Sequence, residues 1–292
     1  NHTGRTGPCS QALIAAGMAR VVYASQDPGD ISGNGADSLR DAGIEVVSGF
    51  LSHEADQQLR VWLTANRNKR TYVTLKWASS LDGRNAAEDG TSQWISGPLS
   101  REHTHITRSQ IDAIAVGTGT VIADNPELTA RKPDGSYFEH QPIRVVIGQR
   151  ELGTDLKIFN DKAPTIHLQT RNLGDALTDL WARGVKHLLV EGGPTLASQF
   201  ESENLVDEYQ IYLAPALIGG SKTHVFDDRQ FCQTLGELKC ADHAKSSSPM
   251  RCNSIHRLAI EIPLTGIRLI KTSQQIEESC FARAIRTDQG SD

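Results

Sequence analysis

The spacing of apolar positions changes near residue 70, and the two stretches on either side predict different structures. Before that point short elements alternate in type. They are an apolar-periodic helix over Ser10 to Met18, a strand over Arg20 to Ala24, a helix ending at Ala42 and a strand in "IEVVSGF". Such βα alternation argues for an α/β layer. "SHEADQQLRVWLTANRNKR" then predicts a helix with Ser52 as N-cap, acidic residues at its start, and Arg67, Lys69 and Arg70 near its end, in line with the helix dipole. Its basic exit suits a linker, which puts a domain boundary near residue 70; a loop inside one continuous domain is the competing reading.

From Thr71 the pattern restarts. "TYVTLKWASSLDGR" alternates and runs into an Asp-Gly turn, and "DAIAVG", "IRVVIG", "PTIHLQT", "KHLLVEGG" and "DEYQIYLAPALIGG" follow as apolar runs with helical stretches between several of them. These are the marks of buried strands in one sheet. After Phe226 the periodicity decays. "ELKCADHAKSSSPMRCNSIHRL" is polar and broken, "LAIEIPLTGIRLIK" can supply a last hairpin, and "TSQQIEESCFARAIRTDQGSD" is expected to be a frayed helix or tail over 272–292.

Composition narrows the partners more than the fold. With 292 residues, 38% hydrophobic and 22% charged, the chain is an ordinary globular sequence with length for one large domain or two smaller ones. A net charge of -5 gives no reason to expect nucleic acid or a membrane surface as partner. No apolar run approaches the roughly 20 residues of a bilayer span. Five cysteines without regular spacing argue against a disulfide framework and for a cytoplasmic setting. Cys232, Cys240 and Cys252 lack CxxC spacing, and His103 and His105 point to different sides of a helix, so neither group makes a metal site.

The chemistry-bearing positions gather at strand ends. In "HLLVEGGPTLASQF" a strand runs into Gly192-Gly193, and Pro194 falls at a first helical position. Such a turn lets backbone N–H groups at a helix N-terminus face an anion; it also serves as a plain tight connection, and it is not the GxGxxG fingerprint. In "VGTGTVIADNPELTAR" a second strand ends at Gly117-Thr118-Gly119, with the hydroxyls of Thr118 and Thr120 suited to phosphate or ribose, and Asn125-Pro126 breaks the helix after Asp124. Two glycine-terminated strand ends in one sheet imply one ligand lying across both. Lys76 either points inward and needs an anionic partner or faces solvent on an edge strand. Trp94 in "DGTSQWIS" either stacks on a planar ring or plugs the core. Glu191, closing a buried strand, is poorly explained by packing alone.

"TLKWASSLDGR", "GTSQWIS", "GTGTVIADNPELTAR", "LVEGGPTLASQF" and "LVDEYQIYLAPALIGG", in that order and spacing, resemble the reductase domain of the bifunctional riboflavin-biosynthesis deaminase-reductase family. The resemblance implies a dihydrofolate-reductase-like α/β fold over 71–271, with a mixed, mostly parallel sheet flanked by helices. Before it, over 1–70, it implies the C-terminal half of a cytidine-deaminase-like zinc domain. It implies NADPH as cofactor, the ribosyl group of 5-amino-6-(5-phosphoribosylamino)uracil as the group reduced to ribityl, and a homodimer. Lys76 and Glu191 would polarise the substrate; Ser92, Arg108, Leu128 and Arg131, with Glu191, would hold it. Ala78, Trp94, Thr120, Asp124, Gln149 and the turn Gly193, Pro194, Thr195, Leu196, Ala197, Ser198 and Gln199 would line the cofactor.

"NHTGRTGPC" resembles the end of the family's deaminase signature, with Cys9 as a residual zinc ligand. No His here is followed two residues later by Glu, so the expectation is a fragment without catalytic zinc or deaminase activity, zinc belonging to the intact parent. Other readings of the same residues are a non-catalytic nucleotide-binding module and a pterin-type reductase of the same fold.

Overall fold

A computed structural model describes residues 7–29, 33–92, 94–218, 267–268 and 280–285, the last two segments as backbone. The chain divides into two compact units, Asn1–Tyr72 with Leu177–His187 and Val73–Ala176 with Leu188–Asp292.

In the first unit α1 (Cys9–Ala15) leads to β1 (Arg20–Tyr23), α2 (Gly35–Asp41), β2 (Glu45–Ser48) and α3 (Ser52–Asn68). α1 is shorter than its apolar periodicity suggests. Gly17, at φ +66, turns the chain out of the helix, and the backbone N–H groups of Gly17 and Met18 close on the carbonyls of Ile14 and Leu13. β1 and β2 pair in parallel from Arg20 opposite Glu45 to Tyr23 opposite Ser48. Ser52 does not cap α3. It is the first helical residue, Leu51 holds the N-cap at φ 55, and no side chain caps the helix.

The second unit carries β3 (Tyr72–Ser80), α4 (Pro98–Arg108), β4 (Ala113–Gly117), α5 (Thr118–Asp124), β5 (Ile143–Ile147), β6 (Thr165–Leu168), α6 (Leu173–Ala182), β7 (His187–Val190), α7 (Pro194–Ser202), β8 (Glu208–Ala214), β9 (Ile267–Arg268) and β10 (Cys280–Ile285); β3, α6 and β7 each extend across the division. Among the described residues the strands form one sheet in the order β6-β5-β4-β7-β3-β8-β10-β9. The pairs β6/β5, β5/β4, β4/β7 and β3/β8 are parallel; β8/β10 and β10/β9 are antiparallel. The apolar runs are strands of one sheet, as their pattern predicts, and the sheet is mixed and mostly parallel, as the family resemblance implies. β4, β5 and β6 lie side by side as they do in sequence, but the placing of β3 between β7 and β8 was not legible in those runs, because there each strand pairs with strands distant in sequence.

One expectation fails at the C-terminus. Residues 280–285 are neither helix nor tail: they form β10, which pairs with β8 from Cys280 opposite Leu213 to Ile285 opposite Glu208. β8 would otherwise leave a row of backbone donors and acceptors unpaired on that side, and a distant extended segment satisfies them. The polar, broken stretch "ELKCADHAKSSSPMRCNSIHRL" lies outside the described residues.

The central strands bury mainly apolar side chains, among them Ala113, Ile114, Ala115, Val145, Val146, Leu188, Leu189 and Val190. Ile111, Ile114, Val116, Val121, Leu128, Val146, Ile158 and Leu189 form one cluster, closed on one side by Leu152, Leu156 and Phe159. This packing fixes the ends of β4, β5 and β7, where the polar groups lie.

Candidate active site

β3 is an interior strand, between β7 and β8, so the solvent-facing alternative for Lys76 does not apply. Its Nζ donates to Glu191 Oε2 at 3.3 Å and lies 5.4 Å from the Tyr212 ring centroid. The opposite side of the carboxylate is taken by Arg108, the last residue of α4, whose Nε donates to Oε1 at 2.8 Å and Nη2 to Oε2 at 3.0 Å. Arg108 Nη1 also donates to the Thr129 carbonyl at 3.1 Å. The side chains of Lys76, Arg108 and Glu191 are only 17%, 13% and 8% exposed. Burial by itself would raise the Glu191 carboxyl, but the Arg108 and Lys76 cations outweigh it and hold it at about 2. Glu191 is therefore held as an anion between two cations at the end of β7.

Two donors of the Arg108 fork are thus engaged by Glu191 in a bidentate pairing. Arg131 is different. Its side chain is 42% exposed, and Nη1 approaches Glu127 Oε2 at 3.6 Å. The Arg131 backbone N–H donates to His105 Nδ1 at 3.2 Å. Burial, then the Arg108 and Arg131 cations, push His105 down to about 4, so at neutral pH it is a neutral acceptor between two arginines. His103, two residues away on α4, instead has Nδ1 2.7 Å from the Tyr212 hydroxyl. The two histidines do point to different sides of the helix. Burial pushes Tyr212 up to about 12, so its hydroxyl stays protonated beside Lys76.

Leu128 is 6% exposed and sits at φ 53, a conformation disfavoured for a branched side chain. It offers a ligand its main chain rather than its side chain. Ser92 is exposed in the loop between β3 and α4. Trp94 in that loop is 69% exposed, and the Arg101 guanidinium lies over its ring at 4.6 Å, so it does not plug the core.

The glycine turns meet at neighbouring strand ends. A Cβ on Gly192 would fall 2.7 Å from Leu196 Cδ2 and 3.4 Å from the Gly117 nitrogen, and one on Gly193 3.0 Å from Thr120 Oγ1. A Cβ at either position would press on Leu196 or Thr120, which pack closely against the turn. Gly193 N–H donates to Thr120 Oγ1 at 3.0 Å, which ties the turn after β7 to the helix after β4. Pro194 is the first residue of α7. Leu196 and Ala197 are buried, Thr195 is exposed and Ser198 and Gln199 are half-buried. Gln199 Nε2 donates to the Arg171 carbonyl at 2.7 Å. What this run can present to an anion is therefore the first-turn backbone N–H of Thr195 and Leu196, which have no acceptor within the helix by position. Ala78 is half-buried on β3 opposite Tyr212; Asp124 and Gln149 are exposed after β4 and β5. Thr118, expected to reach phosphate, is buried, with its Oγ1 only 2.8 Å from where a Gly148 Cβ would stand.

His105, Tyr212 and Glu127 were not singled out as site residues from sequence. Only Glu127 had a local signal, its position four residues before Arg131. Cys9 is exposed at the start of α1, and no group of three or more His, Cys, Asp or Glu side chains is placed to hold a metal among the described residues.

The parallel α/β sheet thus gathers the Lys76–Glu191–Arg108 cluster and the N-terminus of α7 at adjacent strand ends, where α/β proteins place their binding sites. Comparison gives the family. The RibD C-terminal domain matches residues 71–250. The chain is 46% identical over 222 residues to the riboflavin biosynthesis protein RibD of Corynebacterium ammoniagenes, covering 75% of this chain and 65% of that protein. The solved structure of Acinetobacter baumannii RibD superposes with a TM-score of 0.76 at 31% identity, covering 98% of this chain and 78% of that one. A Thermotoga maritima structure described as a diaminohydroxyphosphoribosylaminopyrimidine deaminase/5-amino-6-(5-phosphoribosylamino)uracil reductase gives a TM-score of 0.73 at 26% identity, covering 98% and 76%. This chain belongs to the RibD family of riboflavin-biosynthesis proteins and spans about two thirds of the length of its curated relatives.

Proposed function

We propose that this chain carries the reductase activity of its family, the NADPH-dependent reduction of the ribosyl group of 5-amino-6-(5-phosphoribosylamino)uracil to its ribityl form. The observation that supports it most is the Lys76–Glu191–Arg108 cluster at the end of β7, immediately before the Gly192-Gly193 turn. The turn fits a pyrophosphate-bearing cofactor, since it leads into the N-terminus of α7, whose first-turn backbone N–H groups have no acceptor within the helix. Residues Ala78, Trp94, Thr120, Asp124 and Gln149, with the backbone from Gly193 to Gln199, would hold it. NADPH, when bound, supplies the hydride.

The protein's own residues prepare the acceptor. Glu191 fixes Lys76 as a buried ammonium, and that ammonium donates a hydrogen bond to the sugar oxygen that gains charge as C1′ is reduced. Arg131 holds the 5′-phosphate, with Ser92 and the Leu128 main chain contributing polar contacts. Residues 1–70 correspond in this reading to a zinc-deaminase-like domain of which Cys9 is one ligand, and the assembly is a homodimer. A phosphorylated sugar suits Arg131 better than a flat pterin does, which favours this substrate over a pterin reductase.

The test is NADPH oxidation with the deaminated ribosylaminopyrimidine, comparing wild type with Lys76→Ala. Wild type turns over, and Lys76→Ala loses about a hundredfold or more in kcat while still binding NADPH. A folded wild type that binds NADPH and leaves this substrate unreduced makes the chain a nucleotide-binding module.

A further inference from the structure

Arg131 is the most exposed of the cations near Glu191, and a long exposed arginine ordinarily samples many rotamers. Here its carboxylate partner is itself immobilised. Glu127 Oε1 accepts from Asn160 Nδ2 at 2.9 Å and from the Tyr137 hydroxyl at 3.2 Å, and Oε2 accepts from Thr129 Oγ1 at 3.3 Å. Burial works against its charge, but the hydrogen bonds from Asn160, Tyr137 and Thr129, with the Arg131 cation, bring its pKa below the ordinary value. Asn160 is anchored in turn. Its Oδ1 accepts from Arg144 Nη1 at 2.7 Å, and its carbonyl accepts from Arg144 Nη2 at 2.6 Å. Arg144 is a completely buried residue of β5 whose guanidinium also bonds the Ala163 carbonyl. A continuous chain of polar contacts therefore runs from the sheet, through Arg144, Asn160 and Glu127, to the Arg131 guanidinium, while His105 pins the Arg131 backbone.

A carboxylate close to a phosphate-binding arginine would lower its affinity by competing for the cation unless it did something else. At 3.6 Å, with Arg131 42% exposed, the Glu127 contact is loose enough to leave most of the guanidinium's donors for a ligand. It is also enough to bias the side chain to one side. We propose that Glu127, held by Asn160, is a positioning residue that presets the Arg131 fork for the substrate's 5′-phosphate and so sets the preference for a phosphorylated over a phosphate-free sugar. This rests on the proposed reductase reading, in which Arg131 meets that phosphate. The benefit is entropic: an arginine already oriented loses less rotamer freedom on binding.

Steady-state kinetics on Glu127→Gln, Glu127→Asp, Asn160→Asp and Arg131→Ala tests it, using the phosphorylated substrate, its phosphate-free riboside, and inorganic phosphate as competitive inhibitor. Glu127→Gln should raise KM for the phosphorylated substrate and Ki for phosphate by about tenfold, with a much smaller change in kcat and none in KM for the riboside. Asn160→Asp, which sets a second carboxylate against Glu127, should reproduce that pattern, and Glu127→Asp, which keeps the charge, should recover part of the loss. If Glu127→Gln changes both substrates equally, or lowers kcat and thermal stability together with no selectivity, Glu127 is structural and the proposal is wrong. If Arg131→Ala raises KM for the phosphorylated substrate while Glu127→Gln does not, the positioning role fails and the phosphate reading of Arg131 stands. Arg131→Ala with unchanged KM removes the phosphate reading itself, and the positioning role with it.

Discussion

Arg108 and Arg131 both act on His105, and each faces a glutamate, yet the two pairs are built differently. Arg108 ends a helix and closes on Glu191 through two bonds of 2.8 and 3.0 Å, with its side chain 13% exposed. Arg131 follows a helix break, keeps one contact of 3.6 Å to Glu127 and is 42% exposed. A buried ion pair stands because each charge would be costly without the other, so both members are committed to structure. A half-exposed pair leaves its cation partly solvated and able to exchange partners. The difference teaches which arginine holds the site together and which is available to a ligand.

Removing the buried anion should have the largest effect. Glu191→Ala leaves Lys76 and Arg108 facing each other without compensation, and the loss in unfolding free energy expected from denaturant titration is about 3–5 kcal/mol, with reductase activity abolished. A variant of near wild-type stability would mean that the two cations find other partners, and the contrast with Arg131 would collapse.

Arg131→Ala should act on binding and spare the fold. Its KM for the phosphorylated substrate should rise by about tenfold to a hundredfold, with an unfolding free energy within about 0.5 kcal/mol of wild type. Arg108→Ala should show the reverse balance, a stability loss resembling that of Glu191→Ala. Equal stability losses in the two arginine variants would show that the pairs do not differ as their geometry indicates.

The smallest effect separates the pairs by acid titration. The Glu191 pKa falls on folding from 4.5 to about 2, so its contribution is complete above about 4.5 and is lost as pH falls toward about 2. His105 falls from 6.5 to about 4: the unfolded chain takes up its proton first, and stability declines as pH drops from 6.5 toward about 4. Unfolding free energy should therefore fall in two stages on acidification, and His105→Gln should remove the upper stage alone. A single stage below pH 4.5 in wild type would show that His105 is not held neutral between the arginines.

How far the sequence carried depended on whether a feature was local. The strand before Gly192, the first-turn Pro194, the helix break at Asn125-Pro126 and the oddity of an acidic Glu191 after a buried strand could be read from a few neighbouring residues. The Ser52 cap was misread because a helix start was clear while the conformation of Leu51, at φ 55, was not. β10 was misread because six residues far from their partner strand carry little signal of their own; its place depends on the free side of β8. The pairing of Arg108 was not legible because an arginine's partner is not written beside it. Glu191 lies 83 positions away.

What the sequence determined by itself was the set of elements and the residue types at their ends: apolar runs long enough for interior strands, glycines where a strand turns tightly into a helix, and charged residues just past those strands. Such features follow from backbone sterics and from the cost of burying polar groups, and both act over a few residues. The tertiary structure alone decided which charges meet. It put β3 inside the sheet, so that Lys76 needed an anion, and brought Arg108 to the same carboxylate. It also held Arg131 at the surface through Glu127, Asn160 and Arg144. Electrostatic pairing depends on distance in space and on exclusion of water, and neither exists until the sheet has closed over its core.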